Sequence, residues 1–147
     1  MKVQEFRRKV KVGTIIIVDD KELDVLEIVM FRLDDKSFYI KCFLSDGYVL
    51  ADDAEDNSFV LVREVNCDIA QPFPEDVTYD DKDFTFLFEA HAVAEHTSGE
   101  EIFKEGESET FWDYDSEEGF YLSLGVNDQS GKRQDFYGKV IDEIEIV

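Results

Sequence analysis

The stretch DDKDFTFLFEA (Asp80–Ala90) decides the fold class. Phe84, Phe86 and Phe88 recur at every second position, so in extended backbone they share one face, and no helix reproduces that period. An earlier stretch, DDKELDVLEIV (Asp19–Val29), resembles it. Read alone, Lys21–Leu33 sets Leu23, Leu26, Met30 and Leu33 near helical spacing, with Asp20 as a cap. The likeness to the Phe-alternating copy argues for a strand there instead.

Strand signals continue on both sides. VGTIIIV (Val12–Val18) is β-branched and short, and SFYIKCFL (Ser37–Leu44) ends on the hairpin-type turn Ser45-Asp46-Gly47. Tyr48–Ala51 and Ser58–Val65 follow, separated by the acidic loop Asp52–Asn57, and Gly119–Val126 and Lys139–Val147 complete the set. Pro72 and Pro74 mark a boundary between halves. KSFYIKCFLSDG at Lys36 resembles EGFYLSLGVNDQ at Glu118, and the change in offset implies an insertion of twenty-one residues near 95–114. The expectation is an all-β, mainly antiparallel fold. Two similar β-meander halves, residues 1–71 and 72–147, would pack as a sandwich or as two fused small barrels, and a single shared core is left open.

The 147 residues carry a net charge of −21, unevenly distributed. Met1–Lys11 holds five bases and one acid, whereas the remainder holds ten bases and thirty-five acids. Such a field repels phosphate backbones and anionic headgroups, so direct nucleic-acid binding is disfavoured and a basic partner favoured. A solubilising surface is the simpler reading of the same charge. The arm Phe6-Arg7-Arg8-Lys9-Val10-Lys11 is expected either as a solvated edge strand or as a segment docking on another copy to build an oligomer. No apolar run suits a signal peptide or a membrane span, and the expected location is cytoplasmic.

Chemical motifs are few. Cys42 and Cys67 stand apart and read as small buried hydrophobes. His91 and His96 lie five apart beside Glu89 and Glu95, facing opposite ways in a strand, so neither a metal nor another cofactor is expected. Asp53, Glu55, Asn57 and Glu64 fall on calcium-loop positions, but Ser58 stands where the turn needs Gly and strands replace the flanking helices. Asp113 and Asp115 alternate onto one face, yet hydrolysis also requires a pocket and a carboxyl raised by an apolar setting. No catalytic residue is assigned. The candidate ligand-binding surface is Phe111, Trp112, Asp113 and Tyr114 with Tyr121, an aromatic patch framed by carboxylates and suited to a cation or peptide. Ordinary packing between sheets is the competing reading of these aromatics.

From Val12 to Val147 the chain resembles a bacterial domain family of unknown function, sometimes encoded near phage-shock-type membrane-stress proteins. The resembling stretches are VGTIIIVDDKELDVLEIV, FYIKCFLSDGYVLADD, FPEDVTYDDKDFTFLFEAHAVAEHTSGEE, ETFWDYDSEEGFYLSLGV and QDFYGKVIDEIEIV. Phe38 and Tyr39 stand where that family typically carries a Trp-bearing strand. The resemblance implies an all-β, non-enzymatic module and brings no catalytic residues with it.

The function expected from all this is a non-catalytic β module that binds a protein or peptide, in a membrane-stress pathway if the resemblance holds. Two alternatives are an acidic decoy for a basic nucleic-acid-binding protein and a carboxylate-dependent hydrolase.

Overall fold

A computed structural model describes residues 1–99 and 103–147. The expected insertion near 95–114 therefore lies partly outside the described residues. A short helix α1 (Val3–Lys9) precedes β1 (Ile15–Val18), β2 (Lys21–Leu33), β3 (Phe38–Leu44), β4 (Tyr48–Asp53) and β5 (Ser58–Val65). After a connection without regular structure come β6 (Asp76–Tyr79), β7 (Lys82–Gly99), β8 (Ser108–Asp115), β9 (Phe120–Asn127), β10 (Arg133–Ile141) and β11 (Glu145–Ile146). Lys21–Leu33 is thus strand throughout, and the fold is all-β and antiparallel.

Neither expected packing, sandwich or paired small barrels, is what the strands build. Eight of them close one barrel in the order β2-β3-β4-β5-β10-β9-β8-β7, sealed by pairing of β2 with β7. Phe31 lies opposite Ala94 and Leu33 opposite Ala92 at that seam. At the second long-range seam Val62 meets Gly138. A Cβ at Gly138 would collide with the Leu61 carbonyl oxygen, so the close approach of β5 and β10 needs a glycine there. The matched stretches of the sequence fare differently. Asp19-Asp20 and Asp80-Asp81 form two like turns, β1–β2 and β6–β7, all four residues with positive φ. The second match sets β3 against β9, which do not hold equivalent places in the strand order.

Strand alternation divides each barrel strand between an inner and an outer face. On one side the outer face is covered by α1, β1 and β11. Val3 and Phe6 of the helix pack with Ile16, Ile40, Cys42, Leu50, Phe59 and Leu61, and the Phe6 ring meets Phe59 edge-on at 5.2 Å. The basic arm is therefore a short helix packed on its own barrel, not an edge strand. Val3, Phe6 and Val10 sit at helical spacing on its own barrel, and Arg7 Nε reaches Asp52 Oδ2 at 2.6 Å. On the other side the connection 66–75 and β6 cover β8 and β9, with Phe73, Val77 and Phe84 against Trp112, Tyr114, Leu122 and Leu124. No helix among the described residues is long and apolar enough to cross a membrane.

Candidate functional site

The barrel interior is packed at one end and hollow at the other. Phe103 enters between Val29, Phe31, Ala92 and Ala94, and its backbone N–H donates to the fully buried Glu27 at 3.0 Å. Toward the opposite end a cavity of about 720 Å³ opens between the β2–β3 and β4–β5 turns. Its mouth carries Phe38 and Phe88, 40% and 45% exposed, beside Asp34, Asp35, Asp53 and Glu55.

Two polar pairs lie inside. β3 turns Tyr39 and Lys41 inward, between outward Ile40 and Cys42, and β8 presents Glu109, Phe111 and Asp113 at every second position. Lys41 Nζ stands 3.4 Å from Glu109 Oε1, and the Tyr39 hydroxyl donates to the same oxygen at 2.9 Å. The Lys41 ammonium also lies 4.9 Å from the Phe136 ring centroid, a cation–π contact. Asp113 accepts from the Ser123 hydroxyl at 2.5 Å and from the Tyr121 hydroxyl.

Burial governs the ionisation of this set. It pushes the Asp113 carboxyl up to about 6, with the Glu109 charge adding to the rise and Ser123, Tyr121 and Lys41 opposing it. The same burial, reinforced by Glu109 and Asp113 respectively, holds the Tyr39 and Tyr121 hydroxyls far above the usual phenol range. Both tyrosines are therefore neutral donors throughout the physiological range. Burial likewise pushes up both thiols, Cys67 to about 12, so neither supplies a thiolate.

The five candidate residues are split by strand alternation. Phe111, Asp113 and Tyr121 line the cavity. Trp112 and Tyr114 point outward beneath the 66–75 connection, where Trp112 meets Phe73 at 4.9 Å and Tyr114 donates to the Pro74 carbonyl at 2.7 Å. They belong to a packed core and do not share a surface with the other three. Tyr39, Lys41, Glu109, Ser123 and Phe136 complete the cavity without having been singled out in the sequence. One signal for them was present: a lysine in the middle of FYIKCFL, where alternation demands that it face somewhere buried or paired.

His91 and His96 do not meet. The His91 ring, at the cavity rim, bridges two carboxylates, Nδ1 to Asp34 at 2.9 Å and Nε2 to Asp128 at 3.2 Å, and the Asp34 hydrogen bond raises its pKa. Among the described residues no group of three or more His, Cys, Asp or Glu is placed to hold a metal ion. In the acidic loop, Asp53 accepts from the Glu55 and Asp56 backbone, and Asn57 accepts from Val3 N–H. These side chains order a turn and the start of α1.

A mainly apolar cavity, open at one end and with convergent hydrogen-bonding groups, is the setting in which barrels of this size hold one small ligand. Comparison with protein-family models, curated proteins and solved structures finds no match to the chain.

Proposed function

We propose that the protein is a non-catalytic binding module whose ligand is one small organic molecule held inside the barrel. The observation that carries this reading is the cavity of about 720 Å³, open at one end and closed by Phe103 at the other. That volume lies within the range of small-molecule sites, and its walls combine aromatic faces with a few fixed polar groups. A peptide or protein partner, the expectation from sequence, has less to recommend it once Trp112 and Tyr114 are committed to packing. Carboxylate-dependent hydrolysis would use the same cavity and the raised Asp113. It also needs a second carboxylate free to act beside the first, and the neighbour on the same strand face, Glu109, is engaged by Lys41 and Tyr39. The two like Asp-Asp turns and the four-plus-four contribution of strands support a barrel assembled from two similar units.

The test is binding of a neutral solvatochromic dye, read as a blue-shifted emission, in the wild type and in an Ala51→Trp variant. Ala51 lines the cavity from β4, and an indole there fills the space a ligand would take. Saturable binding that disappears in a folded Ala51→Trp protein is the expected result. Undiminished binding in that variant places the dye elsewhere and overturns the reading.

A further inference from the structure

We infer that the ligand of the barrel is an organic amine, cationic at neutral pH, whose ammonium pairs with Asp113 while an apolar body lies along Phe111 and Phe136. The inference rests on the barrel-binding reading and specifies its chemistry.

The lining is one-sided in charge. Among the described residues Asp34, Asp35, Asp53, Glu55, Glu109 and Asp113 bring carboxylates to it, against Lys41 and His91, while Asp52 and Glu89 border it but turn outward to Arg7 and Trp112. The lysine is already committed, since Lys41 pairs with Glu109 and sits against the Phe31, Phe43 and Phe136 rings. The histidine ring is held between Asp34 and Asp128. An incoming anion therefore meets like charge at the mouth and, among the described residues, no free cation inside. A cation is drawn inward by the mouth acids, and low-dielectric walls concentrate that field.

Acceptor capacity points the same way. Asp113 receives one hydroxyl proton at each oxygen, and an ionised carboxylate offers about four lone-pair sites. Tyr39 and Lys41 both reach Glu109 through Oε1. The donors inside are thus turned toward protein carboxylates, and what remains on offer to a ligand is acceptor capacity. An ammonium supplies three donors and no acceptor, which matches it. Phe111, Phe136 and the exposed faces of Phe38 and Phe88 supply the apolar and cation–π surface for the rest of the molecule.

The pairing carries a proton dependence with a defined sign. Asp113 is faced by Tyr121 and Ser123 of β9, Lys41 and Tyr39 of β3, and Glu109 of its own strand, with Asp53 of β4 near Tyr121 and Phe88 opposite on β7. Of these, Asp113 is the group that titrates near 6. The amine binds the ionised form, about nine-tenths populated at pH 7 and about one-tenth at pH 5, so its affinity falls roughly tenfold over that interval.

Three fluorescent probes of one scaffold test this: dansylcadaverine, its N-acetylated derivative, and dansyl-6-aminohexanoate, which carry a cationic, a neutral and an anionic tail. Dansylcadaverine is expected to bind roughly ten- to a hundredfold more tightly than the acetylated probe at pH 7, and the carboxylate probe more weakly still. Asp113→Asn is expected to weaken dansylcadaverine roughly tenfold or more, so that most of its preference over the acetylated probe is lost. Should that variant fail to fold, the wild type at pH 5 against pH 7 gives the same information, a tenfold fall for the amine and none for the acetylated probe. Equal binding of all three probes, or tightest binding of the carboxylate, with loss in Ala51→Trp, overturns the amine while leaving the barrel as a binding site. Binding of none of them overturns both.

Discussion

Replacing Asp113 by Asn should make the protein more stable at neutral pH and less sensitive to acid. The carboxyl is raised from an ordinary 3.8 to about 6, mainly because burial disfavours the ionised form. At about 1.4 kcal/mol per tenfold change in acidity, an ionised Asp113 makes the fold about 3 kcal/mol less stable than a neutral group would. Between pH 3.8 and 6 the folded state binds the proton that the unfolded state has lost, so this contribution to stability rises as pH falls. Above 6 the penalty is complete, and below 3.8 it vanishes. Asn can accept one hydroxyl and donate to the other, because Ser123 and Tyr121 each both give and take a hydrogen bond. Urea unfolding followed by the fluorescence of Trp112, the one tryptophan, gives the stability of both proteins from pH 4 to pH 7.5. Titration of the other acids is common to both, so the difference between them isolates Asp113. The variant should be the more stable by up to about 3 kcal/mol at pH 7.5, with the gap closing as pH approaches 4. A gap that stays constant within about 0.5 kcal/mol across that range would mean that the carboxyl ionises as it does in water, and the account of a desolvated cavity would fail.

Phe6→Ala should lose about 3–5 kcal/mol, because the ring is fully buried against Phe59 and α1 is too short to persist without its tertiary contacts. Unfolding in urea measures it, and a change under about 1 kcal/mol would show that the basic arm does not dock on its own barrel. Gly138→Ala should be destabilising by about 2 kcal/mol or more, since the added methyl meets backbone of β5 at a barrel seam. A thermal midpoint within two degrees of wild type, roughly what 0.5 kcal/mol produces in a domain of this size, would refute the close approach of β5 and β10.

How much of this was legible follows from what kind of signal each feature leaves. Alternation in DDKDFTFLFEA and SFYIKCFL marks strands directly, because a period of two is a property of each segment alone. Barrel closure leaves no such mark. It depends on pairing β2 with β7 and β5 with β10, strands far apart in sequence, and local patterns say nothing about which edges meet. The helix α1 was obscured for another reason. Arg7, Arg8 and Lys9 dominate the reading of the arm, while its buried residues Val3 and Phe6 lie outside that basic run or at its border. In the candidate site, the FWDYD segment brings Phe111 and Asp113, but not its other residues, to the cavity. Reading it as one surface ignored the same period of two that identifies the strands: Phe111 and Asp113 go in, Trp112 and Tyr114 go out. Glu109, two residues before Phe111, extends the inward series, and Lys41 is its partner across the barrel.

The distribution of apolar packing explains why such a small barrel can be hollow. In a barrel whose outer face meets water, the interior must serve as the core, and eight strands leave just enough room for side chains to fill it. Here the largest group of buried apolar residues lies outside the wall, between β2–β5 and the layer formed by α1, β1 and β11. A second lies outside β8 and β9 beneath Phe73 and Val77. Burial on those two outer faces supplies hydrophobic stabilisation that an isolated barrel would have to find within. The open end of the interior is thereby released from packing and can carry Lys41, Glu109 and a carboxylate disfavoured by its own burial. Perturbed carboxylates in clefts cluster at functional sites, and Asp113, raised to about 6 by burial, lines an open cavity. Filling the cavity should therefore show the trade directly: Ala51→Trp, if it folds, removes ligand binding without touching either outer core, and its stability should stay close to that of the wild type.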